Sequence, residues 1–269
     1  MTQEPESFMT KKLFLLIVWL LPNQQRVMAL DQDTIQRIGK QIWHNEASCR
    51  EDYLVFWSDK ESFPSFGIGH SIWLPEGHEI KYTQGFHPLC QHLKESGIVL
   101  PSWIEDALKK GAPWKDRTDF YNDQARLQEL RKLLSSTVAH QAQFMVNRLK
   151  HTLPKIIQAA PKNKRKKIKR IINLMLASGV GTYVLVDYLN FKGDGLNPLE
   201  KSNGKPWGLL SVLQDMPDNL TQENVTKAFT IAATKKLLML IEHSSPHYKR
   251  LNFFGGWITR LNTYTKQSI

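Results

Sequence analysis

Cysteine is scarce in this chain, whose 269 residues contain only Cys49 and Cys90. No CxxC pair, no HExxH motif and no Cys/His cluster at ligand spacing occurs, so a zinc site is not expected. Glycine-rich phosphate loops are also missing, because Gly179-Val180-Gly181 lacks the third glycine of a dinucleotide fingerprint and the lysine of a P-loop. The sequence therefore predicts no metal and no other cofactor. In an oxidising compartment the two cysteines could form one bridge or remain separate thiols, and the sequence leaves both open.

Acidic residues are in short supply relative to basic ones. The chain has 36 Lys and Arg against 25 Asp and Glu, which gives a net charge of +11 and a pI near 9.6. Because such an excess attracts polyanions, we expect an anionic polymer or surface as a partner. The hydrophobic share of 41% supports a core and excludes a disordered or fibrous protein.

Long apolar runs are also rare, and the one near the start of the chain predicts export. Lys11 and Lys12 precede apolar residues 13–21, and Val27-Met28-Ala29 is a site of the kind that signal peptidase accepts. We expect residues 1–29 to be a cleaved signal peptide, which leaves a secreted or periplasmic chain. Nine residues span about 14 Å as a helix, about half of a bilayer core, so a membrane anchor is the weaker interpretation. A buried N-terminal helix is the remaining alternative.

Apolar residues at helical spacing predict a mainly helical protein. A first helix is expected from Asp33, capped by Asp33 or Thr34, and Glu46 falls on its apolar face. That face also carries Ile35, Ile38 and Ile42. Residues 53–69 lack a helical period and suit a short hairpin or irregular loops. Further helical segments are expected at residues 93–110, 120–153, from about 162 to 177, 183–189, 223–241 and 250–264.

No internal repeat or composition break marks a second domain. We therefore predict one α+β domain over residues 30–269, mainly α, with a small β-hairpin region near its N-terminus. Residues 162–170 contain seven positive charges and pass directly into an apolar stretch. Such a run is usually a solvated helix face.

Glu46 and the segment that follows it suggest chemistry. Cleavage of a glycosidic bond requires one carboxyl group that protonates the leaving oxygen and a second that stabilises or hydrates the cationic centre. Glu46 lies on an apolar face, and burial there is expected to raise its pKa so that it holds a proton near neutral pH. Asp59 and Glu61 follow in the turn-rich segment, and either can supply the second carboxylate.

Glu46, Asp59, Ser65 and the Gly-Ile-Gly-His sequence at 67–70 resemble the phage-type lysozymes. In that family a Glu is followed by an Asp, a Thr and a Gly-Ile-Gly-His turn, and Asp59 and Ser65 stand eight and two residues before the turn, as the Asp and Thr do. Glu46 stands 24 residues before the histidine, several more than in the phage enzymes, and Ser65 replaces Thr. The resemblance implies a lysozyme-like fold in which Glu46, Asp59 and Ser65 are catalytic.

A wider resemblance is to a group of bacterial secreted proteins with a lysozyme-like segment, in which the second carboxylate stands at the Glu61 position. The shared patterns are Asn45-Glu46, the 67–70 turn with Ile72-Trp73, residues 187–195, Trp207-Gly208-Leu209-Leu210 and residues 256–261. Residues 187–195 form a glycine-flanked segment whose polar groups could line a sugar cleft, or simply end a helix. The predicted sugar contacts are His70, Asp187, Asn190, Lys192, Asp194 and Trp207.

These patterns predict a secreted peptidoglycan-cleaving glycosidase with Glu46 as general acid. A single-acid lytic transglycosylase becomes the better interpretation if no second carboxylate reaches the cleft. A non-catalytic wall-binding protein is the rival from another class. The expected partners are peptidoglycan or another anionic wall polymer, or an anionic membrane surface, and no nucleic acid is expected in that compartment.

Overall fold

The structure, a computed structural model, describes residues 30–78, 84–197, 201–243 and 247–265. The expected signal peptide lies outside these residues. One continuous cluster of buried side chains extends from Ile35 near the start to Tyr264 near the end. The expectation of a mainly helical protein with a small sheet near its N-terminus is confirmed.

Eleven α-helices occur in the described part of the chain. They are α1 Gln32–Ala47, α2 Phe86–Glu95, α3 Ser102–Ala107, α4 Arg117–Asn122, α5 Gln124–Ser136, α6 Val138–Ala159, α7 Arg165–Leu176, α8 Gly179–Lys192, α9 Leu209–Asp215, α10 Val225–Glu242 and α11 His247–Asn262. Short 3-10 turns occupy Glu51–Leu54, Lys162–Lys164 and Thr263–Thr265.

The expected helix over 120–153 is divided into three. Asp123 ends α4 and accepts a hydrogen bond from the Arg126 amide at the start of α5, and Thr137 separates α5 from α6. Pro154 does not end α6, which continues to Ala159. The cap of α1 also differs from expectation, because the Asp31 side chain accepts the Thr34 amide proton at 2.6 Å.

Two small antiparallel sheets accompany the helices. The first contains β1 Val55–Phe56, β2 Ser65–Phe66 and β3 Ser71–Ile72 in the order β1-β2-β3, and the second pairs β4 Lys201–Ser202 with β5 Lys205–Pro206. In the first sheet Ser65 stands opposite both Phe56 and Ile72. This sheet follows α1 after one 3-10 turn, so it lies next to the helix end that carries Glu46.

Helix α8 is the most deeply buried element. Residues 181–189 are all buried, and the Ser178 side chain caps the helix by accepting the Gly181 amide proton. Its neighbours are α1, α6, α7, α9, α10 and the last 3-10 turn. No single described helix has the length and hydropathy to cross a membrane; α7 with its preceding turn and α8, which meet at 117°, satisfy those criteria only as a bent pair. Because residues 181–189 are buried, the segment predicted as a sugar-binding loop, residues 187–195, begins inside the core.

Both cysteines are free, so the bridge that the sequence left open is absent. Cys90 lies on the buried face of α2, where burial raises the pKa of its thiol to about 12. Cys49 is exposed at the end of α1, next to the left-handed Ser48.

Candidate active site

Glu46 lies at the C-terminal end of α1, on the same face as three buried isoleucines. Ile35, Ile38 and Ile42 anchor that face in the core, as the sequence predicts. The Glu46 side chain is only 16% exposed. The helix ends one residue later because Ser48 adopts the left-handed conformation. The carboxyl group therefore emerges from the core where α1 meets the first sheet.

Arg260 of α11 is the closest partner of Glu46. Its Nη2 donates to Glu46 Oε1 at 2.8 Å, and Asn190 Nδ2 lies 3.4 Å from the same oxygen. The other oxygen, Oε2, is 3.9 Å from His70 Nδ1. One oxygen of Glu46 is thus held by an arginine and an amide, whereas the other faces the histidine.

Asp187 holds Arg260 in place from the interior of α8. Arg260 Nε donates to Asp187 Oδ2 at 2.8 Å and Nη2 donates to Oδ1 at 2.9 Å, a two-point contact with a side chain that is fully buried. Tyr264 Oη at 2.5 Å and Asn45 Nδ2 at 3.2 Å complete the donors around this carboxylate. Asp187 therefore forms part of the core and has no surface to offer a sugar, contrary to the sequence-based expectation.

The pKa of Glu46 differs from the sequence-based expectation in direction. Burial disfavours the charged carboxylate, as expected, but the positive charges of Arg260 and His70 and the hydrogen bonds from Arg260 and Asn190 outweigh that cost. The pKa of Glu46 consequently lies below its ordinary value. The carboxylates of Asp187 and Glu46 raise the pKa of Arg260, although its own burial acts in the opposite direction.

The 67–70 turn brings His70 to Glu46. The Gln141 side chain of α6 accepts the Ile68 amide proton at 2.9 Å, and a Cβ on Gly67 would lie only 2.3 Å from that acceptor, so no other residue fits at a φ of 76°. Asn190 donates to the Gly69 carbonyl at 3.1 Å. His70 itself has a φ of 49° and closes the turn. The glycines thus let the turn approach both α6 and α8.

A cleft of about 360 Å³ opens on the outer side of this turn, and we call it the hairpin cleft. Its lining residues are Lys60, Glu61, Ser62, Phe63, Ser65, His70 and Ile72. The Trp57 indole donates to the Glu61 carbonyl at 2.9 Å and fixes the backbone there. Partial burial raises the pKa of Glu61, and the positive charge of His70 opposes that shift. The hairpin cleft therefore contains a carboxyl group whose pKa lies above its ordinary value.

Asp59 and Glu61 differ in position. Both residues are exposed, but Glu61 lines the hairpin cleft and Asp59 does not. Ser65 is buried on β2 with its side chain at the cleft. Among the described residues His70 Nε2 is buried without a hydrogen-bond partner. Of the two carboxylates that the sequence left open, the structure brings Glu61 to His70 and leaves Asp59 outside.

A second cleft, of about 510 Å³, lies on the inner side of the turn between α2 and α6, and we call it the helix cleft. Gly69 and Asn190 line it next to Glu46, and α6 contributes Arg148, His151 and Lys155 along one face. Glu46 therefore lies between two clefts, since it contacts His70 of the hairpin cleft and Asn190 of the helix cleft.

The remaining predicted sugar contacts have structural partners. Lys192 Nζ lies over the rings of Phe191 and Trp257, at 3.9 and 3.7 Å from their centroids. Asp194 Oδ1 accepts the Leu196 amide proton at 2.8 Å, and the Trp207 carbonyl accepts from Tyr188 Oη. None of these three residues lines either cleft. Residues 187–192 belong to α8, so only residues 193–195 form the expected loop.

Sequence reasoning missed Arg260, which is the residue that most affects Glu46. Its position was included in the shared pattern at 256–261, but nothing in the sequence joins residue 260 to residue 46. Among the described residues no cluster of three or more His, Cys, Asp or Glu is arranged to hold a metal ion. Comparison with protein-family models, curated proteins and solved structures finds no match to this chain.

Proposed function

We propose that this chain is an exported, lysozyme-like enzyme that cleaves glycosidic bonds of peptidoglycan at Glu46. The observation that carries the proposal is that two carboxyl groups lie near one histidine. Glu46 Oε2 is 3.9 Å from His70 Nδ1, and Glu61 lines the hairpin cleft together with His70. Glycoside hydrolysis uses a pair of carboxyl groups, one that protonates the leaving oxygen and one that acts at the sugar C1, and Glu46 and Glu61 offer such a pair beside His70.

In the proposed reaction Glu46 Oε2 carries the proton. Arg260 and Asn190 bind the other oxygen and so fix the carboxyl orientation, which leaves Oε2 facing the 67–70 turn. Oε2 gives its proton to the bridging oxygen as the bond from that oxygen to the sugar C1 breaks, and the leaving sugar departs as an alcohol. A substrate bound beside the 67–70 turn excludes water from Glu46, and this added burial favours the protonated form of its carboxyl group.

Glu61 supplies the second carboxylate to the cationic sugar centre. As an ionised group it stabilises the positive charge at C1 or takes a proton from the water that attacks C1, and Ser65 can orient that water. His70 Nε2 has no hydrogen-bond partner among the described residues, and a sugar hydroxyl bound in the hairpin cleft, which His70 lines, would supply one. If Glu61 does not act, a hydroxyl group of the same sugar attacks C1 and gives its proton back to Glu46, which is ionised after the first step, so the products are those of a lytic transglycosylase.

The basic residues that line the helix cleft favour a glycan that bears acidic groups. Arg148, His151 and Lys155 follow one another at three- and four-residue spacing, so they share one face of α6 along this cleft. Peptidoglycan is a polysaccharide with carboxylates on its peptide stems, and positive and neutral donors beside a sugar-sized cleft suit that chemistry.

Digestion of purified murein by the mature protein tests the proposal. We expect soluble glycan fragments, and mass spectrometry distinguishes hydrolysed ends from anhydro-sugar ends. The rival is a non-catalytic wall-binding protein, which the buried ion pair of Glu46 with Arg260 favours because a buried carboxylate that pairs with an arginine can be purely structural. Co-sedimentation with murein without any released fragment would overturn our proposal and support that rival.

Glu61→Gln is expected to reduce murein cleavage far more than Asp59→Gln. Glu61 lines the hairpin cleft together with His70, whereas Asp59 does not line it. We expect a loss of about 10²-fold or more in kcat/KM for Glu61→Gln and less than twofold for Asp59→Gln. Release of reducing ends from soluble murein fragments measures both, and thermal unfolding checks that both variants fold.

The two variants serve as controls for each other because each removes one negative charge, and their positions are two residues apart in the chain. A larger loss at Asp59 would reassign the second carboxylate to it. Retention of activity by both variants would indicate a single-acid mechanism.

The anionic partner is also a proposal, and the structure shows which cations are available for it. In the 162–170 run, Arg165 donates to the carbonyls of Gln158 and Ala160, Lys167 pairs with Asp218, and Arg170 donates to the Asp218 and Leu220 carbonyls. These three residues hold elements of the fold together. Lys162, Lys166 and Lys169 are exposed and recur at helical spacing, so they form the basic row that we propose binds anionic polymer or lipid.

Neutralising that row as Lys162→Gln/Lys166→Gln/Lys169→Gln should weaken binding to anionic surfaces without affecting cleavage. We expect a several-fold loss of affinity for phosphatidylglycerol vesicles and for murein at low salt, and a smaller difference at high salt because screening weakens exposed charges. Sedimentation with each material measures the change.

The matched control is Lys110→Gln/Lys115→Gln/Lys132→Gln, which removes three exposed charges on other elements. Equal weakening by both triple variants would mean that only the net charge matters and would contradict a specific basic row. Loss of activity on a soluble fragment by the first variant would place the row in the active site.

A further inference from the structure

Helix α11 carries an exposed aromatic ring on the same face as Arg260. At 100° per residue, residues 253, 256 and 260 lie within about 60° of one another around the helix. Arg260 reaches Glu46 from this face, and the Phe253 ring is 50% exposed. Lys60, which lines the hairpin cleft, has its Nζ 5.7 Å from the centre of the Phe253 ring. Lys60 therefore links the hairpin cleft to this face of α11.

Gly256 leaves the backbone bare between Phe253 and Arg260. Within the part of the chain that the structure describes, no atom lies within 4 Å of a Cβ added at this position, so packing there does not require glycine. Glycine in the middle of a helix is less favourable than alanine. The following residue, Trp257, packs against Phe191 and under the Lys192 ammonium, which holds the helix against the end of α8.

We propose that Phe253 and the bare backbone at Gly256 form a platform on which one pyranose ring of the glycan stacks beside Glu46. The inference rests on the proposed function. The apolar C–H face of a sugar packs against an aromatic ring, and a helix without a side chain at the neighbouring position lets that ring lie close to the backbone. The platform sets where the chain lies relative to Glu46, so Phe253 and Gly256 act in substrate binding and not in proton transfer.

Alanine substitutions at the two adjacent glycines test the platform. Gly255 also has open space around it but faces about 140° away from Arg260, so Gly255→Ala is the matched control. Each substitution is expected to raise Tm by about 2–4 °C through helix propensity. Only Gly256→Ala should weaken binding, because its methyl group holds the sugar off the helix. We expect about a tenfold higher KM on soluble murein fragments, with kcat within twofold of the wild type.

Phe253→Ala should raise KM by a similar factor of about ten through loss of the stacking ring. Calorimetric titration of chitotetraose, a soluble β-1,4-linked N-acetylglucosamine oligomer, measures the binding separately from cleavage. Wild-type cleavage with unchanged KM in both Gly256→Ala and Phe253→Ala would overturn the platform and leave the proposed function intact. Absence of both murein cleavage and chitotetraose binding by the wild type would overturn the two together.

Discussion

Glu46→Gln is expected to lower kcat/KM on murein by about 10³-fold, within the range that general acid catalysis contributes. Glutamine keeps the shape of the side chain, and its amide oxygen still accepts from Arg260 and Asn190. It has no proton to give to the leaving oxygen. Folding and binding should therefore persist while cleavage stops, and reducing-end release measured beside thermal unfolding and chitotetraose titration separates the two effects.

A substrate with an activated aryl leaving group assigns the role of Glu46. Such a group departs without protonation, so Glu46→Gln should lose much less activity on it if Glu46 is the acid. If Glu46 is instead the ionised group that acts on C1, the aryl substrate will show the full loss, and added azide, which can replace a missing anion, will restore activity. Glu51→Gln, at an exposed site, controls for the removal of one carboxylate.

The pH profile of the wild type follows from the same geometry. Burial opposes ionisation of Glu46, but Arg260 and His70 overcome it, so its pKa is low and the free protein holds little of the protonated form near neutrality. Partial burial raises the pKa of Glu61, which must be ionised in its proposed role. We expect kcat/KM to peak in the acid range and to fall as pH rises towards 7. A maximum above pH 7 would contradict Glu46 as the proton donor.

Arg260→Leu is expected to destabilise the protein by about 3–5 kcal/mol, because it leaves the buried Asp187 without its ionic partner. For a domain of this size the loss corresponds to a Tm lower by about 10 °C. The deficit should be largest at neutral pH. It should shrink in acid, because Glu46 without Arg260 is a buried carboxylate that protonates readily, whereas the wild-type pair loses its contribution as pH falls through the lowered pKa of Glu46.

Arg170→Leu is the control for Arg260→Leu. Among the described residues the partners of Arg170 are the backbone carbonyls of Asp218 and Leu220, so its removal leaves no buried carboxylate unpaired there and should cost about 1–2 kcal/mol. Urea unfolding at pH 5 and pH 7 measures both variants. A loss below 1 kcal/mol in Arg260→Leu at pH 7 would mean that the Asp187–Arg260–Glu46 network contributes little to stability. Arg260→Lys keeps the charge without the two-point geometry, so its free energy of unfolding should lie between those of the wild type and Arg260→Leu.

The sequence by itself determined the local elements on which the site is built. The isoleucine stripe placed Glu46 on the buried face of α1, because side chains three and four residues apart share one face of a helix. The 67–70 glycines likewise indicated a tight turn, and the structure shows which close approaches require them. The helices at the C-terminal end were also readable, since their apolar spacing persists over four turns or more.

Only the tertiary structure decided what surrounds the carboxylates. Arg260 is 214 residues from Glu46 along the chain, and periodicity carries no information about such a pairing. That pairing reversed the expected direction of the Glu46 pKa, because a nearby opposite charge outweighs desolvation. Asp187 looked like a loop residue from its glycine neighbours, yet it is a core residue because the apolar helix before it continues to Lys192. The choice between Asp59 and Glu61 depended on which way two turn residues face, and a turn has no period from which to read that direction.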